Sequence, residues 1–188
     1  MEVFVVRHTS VDIDKSICYG QLDVGLCNTF EEESKQILNK LDMKFDQIFS
    51  SPLSRCVQLS KKFSNTVILD NRLLEINFGS WENRKWSELS QLEMEKFEKD
   101  FIFYTPPGGE NLQMLYLRVS HFLEELRFKG YHKVLLFTHS GVIRCILIDI
   151  LQISLQNFFK FQINYGDIIH LSIFEDRIYD KLNFKIES

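Results

Sequence analysis

The chain has 188 residues, of which 45% are hydrophobic and 26% charged, with a formal net charge of −4. This is ordinary for a globular chain with one full core, and the acidic balance without any basic run excludes a general nucleic-acid binder. No stretch approaches the roughly 20 apolar residues of a membrane helix. Arg7 follows Met1 too closely for a secretory apolar segment, so a cytoplasmic protein is expected.

Residues 1–6 (MEVFVV) read as a strand that breaks off at Arg7-His8-Thr9. Residues 30–42 place Ile37, Leu38 and Leu41 on one stripe with charges opposite, the pattern of a surface helix. A second strand at 45–49 (FDQIF) ends at Ser50-Ser51-Pro52. Pro52 suits the first position of a helix capped by Ser50 or Ser51, which sets Arg55 one turn in. A short strand follows at 67–69, and residues 82–101, dense in charge and aromatics, read as a helix that ends before Thr105-Pro106-Pro107-Gly108-Gly109.

Helical period resumes over 110–129, with Leu112, Leu115, Val119, Phe122, Leu123 and Leu126 on the buried side and Gly130 as the stop. Residues 134–138 (VLLFT) form a third strand ending at His139-Ser140-Gly141, ahead of an almost wholly apolar helix at 142–151. Residues 167–174 and 177–186 alternate apolar and polar and pair as a closing hairpin. Strands alternating with helices predict an α/β fold, a three-layer α/β/α sandwich with a mostly parallel sheet. Residues 1–188 form one domain, with a small helical cap-like insertion at about 75–109.

Three strands thus deliver Arg7 and His8, Arg55, and His139 to the edge where open α/β sheets bind ligands. Histidine is a competent nucleophile when one ring nitrogen is unprotonated, and arginine offers a planar fork for phosphate oxygens. Singly, each has a plain structural role; together they make a compact anion site with a nucleophile inside. A phosphate ester also needs its leaving alkoxide protonated. Glu75 and Glu82 are both candidates, in a segment bracketed by Phe78, Gly79, Trp81 and Trp86. A carboxyl beside bound phosphate and aromatic walls resists ionisation, as a general acid must near neutral pH. Sequence chemistry does not choose between the two.

His121, His132 and His170 have no evident partner groups and read as core or surface residues. Cys18, Cys27, Cys56 and Cys145 lack a C-x-x-C and read as reduced, mostly buried thiols. No H-E-x-x-H or phosphate-binding glycine loop is present, so neither a metal nor a nucleotide cofactor is expected. The expected partner is a small phosphate ester, not nucleic acid or membrane; the sequence leaves a homodimer open.

With these residues in view, the chain resembles the histidine phosphatase superfamily, the phosphoglycerate-mutase-like fold, nearly end to end. Arg7-His8-Thr9 resembles that family's R-H-G/T signature. Cys18-Tyr19-Gly20-Gln21-Leu22-Asp23 resembles its substrate loop, and Ser50-Ser51-Pro52-Leu53-Ser54-Arg55 its S-S-x-x-x-R block. The run from Leu74 to Glu82 resembles L-x-E-x-x-F-G-x-W-E, whose first glutamate is the usual proton donor. Pro107-Gly108-Gly109-Glu110 resembles P-x-G-E, and Thr138-His139-Ser140-Gly141-Val142-Ile143-Arg144 resembles T-H-G-G-V-I-R.

The resemblance implies catalysis by His8, Glu75, Arg7, Arg55 and His139, with Glu75 chosen over Glu82. His8 would form a phosphohistidine, and Arg7, Arg55 and His139 would stabilise the phosphoryl oxygens without a metal. It implies a substrate-binding set of Arg7, Tyr19, Gly20, Gln21, Arg55, Glu82 and Ser140. Within the family, the short chain and the Arg-His-Thr and Cys-Tyr-Gly-Gln-x-Asp blocks look most like α-ribazole phosphatase of late cobalamin biosynthesis. Phosphoryl transfer of the phosphoglycerate mutase type and a non-catalytic phospho-ligand module are the competing readings. Thr9, Gly25, Asn83 and Ser140 depart from the family pattern, where Gly, Pro, Gly and Gly are common, and bear on loop shape.

Overall fold

The structure, a computed structural model, describes residues 1–186. The described strands are β1 (Glu2–Arg7), β2 (Gln47–Ser50), β3 (Ile68–Leu69), β4 (Lys133–Thr138), β5 (Ile168–Ser172) and β6 (Lys181–Ile186). They form one six-stranded sheet in the order β3-β2-β4-β1-β5-β6. β3, β2, β4 and β1 are mutually parallel, while β5 and β6 run antiparallel as the closing hairpin.

The central strands are apolar on both faces because helices cover both faces, as parallel sheets require. Alternate residues split between two cores. Val3, Val5, Val134 and Leu136 pack with α4 (Leu112–Arg127) and α5 (Ser140–Leu151). Phe4, Val6, Leu135 and Phe137 pack on the opposite face with Ile37 and Leu41 of the α1 segment (Phe30–Lys40) and Cys56 and Leu59 of α2 (Ser54–Lys61). The α/β/α sandwich expected from the alternation of strands and helices is therefore the one observed. The six apolar positions read on the 110–129 helix are all buried. Cys18, Cys56 and Cys145 are buried, and Cys27 is half-buried.

Two local expectations need correction. Pro52 does not open α2: the helix starts at Ser54, its N-cap Leu53 is extended, and no side chain caps it. The Ser51 hydroxyl instead accepts from the Leu53 N–H at 3.4 Å, so Arg55 is the second residue of the helix. Residues 82–101 are not one helix; only α3 (Gln91–Lys99) is helical, after 3-10 turns at Gly79–Trp81 and Trp86–Glu88. Asn83 sits at φ +63, and Lys85 and Leu89 are extended, which breaks helical propagation. Asparagine tolerates that left-handed region better than most side chains.

Candidate active site

β1, β4 and β2 are neighbours, with Arg7 beside Thr138 and Ser50 beside Phe137 in register. The next residue of each chain segment therefore enters the same space: His8, His139 and Ser51. The His8 N–H donates to Thr138 O at 3.0 Å and the Ser51 N–H to Phe137 O at 2.9 Å, extending the ladder past the strand ends. The two imidazoles meet edge to face with centroids 5.1 Å apart.

His8 is 2% exposed, and its Nδ1 lies 2.8 Å from Thr9 O. A carbonyl only accepts, so Nδ1 carries the proton and Nε2 keeps its lone pair. Arg55 is fully buried and donates through Nη1 to Leu22 O at 2.8 Å, through Nη2 to Gly20 O at 2.7 Å, and through Nε to His139 Nδ1 at 3.3 Å. Arg7 donates through Nη1 to Ile163 O at 2.6 Å, and its Nε–H is buried without a partner. A guanidinium carries five N–H donors; both arginines therefore hold donors in reserve at the cleft that they line.

Burial, then Arg55 and Arg7, hold His8 far below the ordinary histidine range. Burial, then Arg55 and His8, do the same to His139. Both rings are thus held neutral, and His8 Nε2 keeps its lone pair at mildly acidic pH. This has a stability consequence. Below the ordinary histidine value of about 6.5 the unfolded chain takes up protons that the folded chain does not, so stability falls as pH drops. Two such groups give a slope of up to about 2.7 kcal/mol per pH unit between pH 6.5 and 5, above the range in which carboxylates titrate. Urea midpoints measured at pH 7, 6 and 5 check this; a flat profile would contradict it.

The carboxylates separate by environment. Glu75 accepts the Ile76 N–H at 3.1 Å and the Gly141 N–H at 3.1 Å, at the N-terminus of α5, and lines the cleft. A Cβ on Gly141 would come within 2.3 Å of Glu75 Oε1, so glycine here makes room for the carboxylate. Arg118 donates to Glu75 O at 2.9 Å and pairs with Glu110, which accepts the Asn77 N–H at 3.1 Å. The Glu110 of the P-G-G-E block thus fastens the Glu75 segment from α4.

Glu82 accepts from the N–H groups of Gln21 at 2.8 Å, Phe78 at 3.0 Å and Leu22 at 2.5 Å. It ties the 18–23 loop to the 75–82 segment and does not line the cleft. Gly20 and Gln21 also stand behind the wall rather than in it. Gly20 O receives Arg55, a Cβ on Gly20 would collide with Ile76 O, and Gln21 Nε2 donates to Glu75 O at 2.9 Å. Of the expected substrate set, Arg7, Tyr19, Arg55 and Ser140 face the cleft. His139 does not: its Nε2 lies 2.8 Å from Ser51 Oγ and its Nδ1 faces Arg55. In this arrangement it acts on the site through Arg55 and His8.

The cleft holds about 340 Å³ above this floor. Its upper walls are Phe78, Trp86, Phe97 and Phe101 on one side and Phe158 and Phe159 with Arg144 on the other. Phe101 and Phe159 meet at 5.1 Å, and the Arg144 guanidinium lies 5.2 Å from the Phe158 ring. Glu75 is the one carboxylate among the lining residues; the cations are Arg7, Arg55, Arg144 and Lys15. His121 and His132 lie exposed away from the site, and His170 stacks on Phe4 at 4.2 Å. Among the described residues no three His, Cys, Asp or Glu side chains gather to hold a metal ion, and no helix is long and apolar enough to cross a membrane. Reading the sequence missed Phe158, Phe159 and Tyr165, which lie in segments with no phosphate-binding signature; Asn164-Tyr165-Gly166-Asp167 did carry a turn signal.

The family model for the histidine phosphatase superfamily (branch 1) matches residues 3–183. The chain belongs to that superfamily and is an enzyme of that class. It is 28% identical over 175 residues to phosphoserine phosphatase 1 of Hydrogenobacter thermophilus, covering 86% of this chain and 81% of the relative. It is 24% identical over 182 residues to the adenosylcobalamin/α-ribazole phosphatase of Escherichia coli, covering 88% and 87%. The fold superposes on the α-ribazole phosphatase of Shigella flexneri with a TM-score of 0.89 at 22% identity, over 97% of this chain and 95% of that one.

Proposed function

We propose that this chain is a metal-independent phosphomonoesterase working through a phosphohistidine on His8, with α-ribazole 5′-phosphate or a similar sugar phosphate bearing an aromatic base as substrate. His8 Nε2 attacks phosphorus in line while Arg7 and Arg55 hold the equatorial oxygens, where charge is spread in the transition state. The P–O ester bond breaks and the leaving oxygen takes the Glu75 proton. Nδ1–H, held by Thr9 O, carries the charge that the ring acquires. Glu75, now a carboxylate, removes a proton from water, whose oxygen attacks phosphorus and releases phosphate and neutral His8.

The observation that carries the substrate class is the aromatic cleft over the phosphate floor. An amino-acid phosphate would put its ammonium group there with Glu75 as its one carboxylate neighbour, and Glu75 is engaged as the acid. A glycerate, as in the mutase reading, would leave those rings in contact with water. A planar base covers them, and burying about 110 Å² of apolar surface is worth roughly 10²-fold in binding at ~25 cal/mol per Å². The test is hydrolysis of p-nitrophenyl phosphate, α-ribazole 5′-phosphate, O-phosphoserine and 3-phosphoglycerate with chelator present. The expected result is turnover with chelator, and a kcat/KM for the ribazole ester about 10²-fold above that for phosphoserine. Failure to turn over any ester would end the phosphatase reading; preference for phosphoserine would end the substrate reading.

A further inference from the structure

We infer that Tyr165 is a positioning residue for the phosphate floor, acting through a hydrogen-bonded pair with Tyr19 that holds the two arginines in register from opposite sides. The inference rests on the phosphate-site reading given above but not on the identity of the leaving group.

Tyr165 is presented by a tight turn. The Asp167 N–H donates to Asn164 O at 3.2 Å, Gly166 takes φ +71, and the Asp167 carboxylate accepts the Asn164 N–H at 2.6 Å. A positive φ at the third residue of such a turn calls for glycine, so Asn-Tyr-Gly-Asp fixes which way the tyrosine points. The turn is stitched to β1, with the Arg7 N–H donating to Asp167 O at 3.0 Å and the Gly166 N–H to His8 O at 3.3 Å.

From there the face of the Tyr165 ring meets the guanidinium of Arg7, 3.9 Å from centroid to Cζ, and the ring lies 5.5 Å from that of His8. A contact through the ring face occupies no Arg7 N–H donor, which suits a group that must offer N–H to an anion. Its main-chain neighbour Ile163 supplies the carbonyl that receives Arg7 Nη1. One short segment therefore fixes Arg7 by face and by edge.

The hydroxyl does the second job. Tyr165 Oη and Tyr19 Oη are 2.7 Å apart. Tyr19 precedes Gly20 and Leu22, whose carbonyls receive Arg55, and its own ring stands 5.7 Å from the Arg55 guanidinium. The two-tyrosine link spans the floor from the Arg7 side to the Arg55 side. Burial and the bond to Tyr165 push the Tyr19 hydroxyl well above its ordinary value, so the link stays neutral beside the anion site.

The test is a double-mutant cycle on Tyr19→Phe and Tyr165→Phe, each of which keeps its ring and removes half of the link. Two quantities are read: kcat/KM for p-nitrophenyl phosphate, and the Kd of inorganic phosphate by calorimetry, which needs no turnover. Each single variant should weaken phosphate and lower kcat/KM by about 5-fold, as loss of one hydrogen bond implies, and the double should be no worse than either single. Tyr165→Leu, which also removes the ring face, should lower kcat more than Tyr165→Phe does. Unchanged phosphate affinity in both single variants, or losses that multiply in the double, would overturn the inference. If the wild-type protein hydrolyses no ester, the phosphatase reading fails, while the phosphate Kd still reports on the link.

Discussion

Replacing His8 with alanine should lower kcat toward p-nitrophenyl phosphate on the order of 10⁴-fold or more, because in the proposed mechanism no covalent path then remains and only binding and electrostatics are left. The loss falls on kcat rather than on phosphate affinity, since Arg7 and Arg55 are held by Ile163, Leu22 and Gly20 and not by the imidazole. Rapid alkaline quench with radiolabelled substrate should trap an acid-labile phosphoenzyme in the wild type and none in the variant. Undiminished labelling of the variant would assign the nucleophile elsewhere. The same substitution also removes a buried ring that the unfolded chain would protonate. The variant should therefore lose less stability than the wild type between pH 7 and 5, by up to about 1.4 kcal/mol per unit. Activity and acid stability thus change in opposite senses at one residue.

The second large effect belongs to Glu75→Gln and depends on the leaving group. An alkoxide leaving from a sugar needs a proton in the transition state, so the variant should lose about 10²- to 10⁴-fold in kcat on a ribose 5′-phosphate ester. p-Nitrophenolate leaves without help, and the loss there should stay within about 10-fold. Glutamine is nearly isosteric and its Oε1 can still accept from an α5 N–H, so the difference reports proton transfer rather than collapse of the site. The measurement is the ratio of the two losses. Equal losses would take the donor role from Glu75, and Glu82 could not inherit it from its place behind the cleft wall, where it binds the N–H groups of Gln21, Leu22 and Phe78.

The division between Glu75 and Glu82 shows where sequence reading stopped. Both stand in one aromatic-bracketed segment, and residue chemistry alone left them equivalent; only the motif resemblance favoured Glu75. The structure distinguishes them by partners hundreds of atoms apart in the chain: Gly141 on α5 beside one, the 20–22 loop wrapped on the other. The strand ends were legible because apolar runs that stop at charged groups carry both their period and their edge in local sequence. The same holds for α4, whose buried stripe repeats regularly over four turns. The broken course of residues 82–101 was not, because a dense mix of Glu, Lys and aromatics satisfies helical preference and the left-handed Asn83 is a single unemphatic residue.

His139 illustrates a different gap. Its arrival at the ligand-binding edge follows from the strand that carries it, whereas the direction of its ring depends on Ser51 and Arg55. Those contacts join β2, α2 and the end of β4, segments far apart in sequence. The aromatic walls are the same kind of feature, since Phe158 and Phe159 meet the 78–101 segment only through the fold.

Trp81, Cys18 and Leu89 are buried in a cluster of their own, with Phe78, Trp86, Met94, Phe97 and Tyr104 packed against it, separate from the two cores that flank the sheet. The cleft wall of Phe78, Trp86 and Phe97 therefore has its own foundation. Substitutions there can drift while β1 goes on presenting Arg7 and His8, and while Glu82 keeps its hold on the 20–22 loop that receives Arg55. A lineage could in this way retune which ester it accepts without relearning how to break one, and a designer could alter this one wall at Trp86 and Phe97 while leaving Glu82 in place.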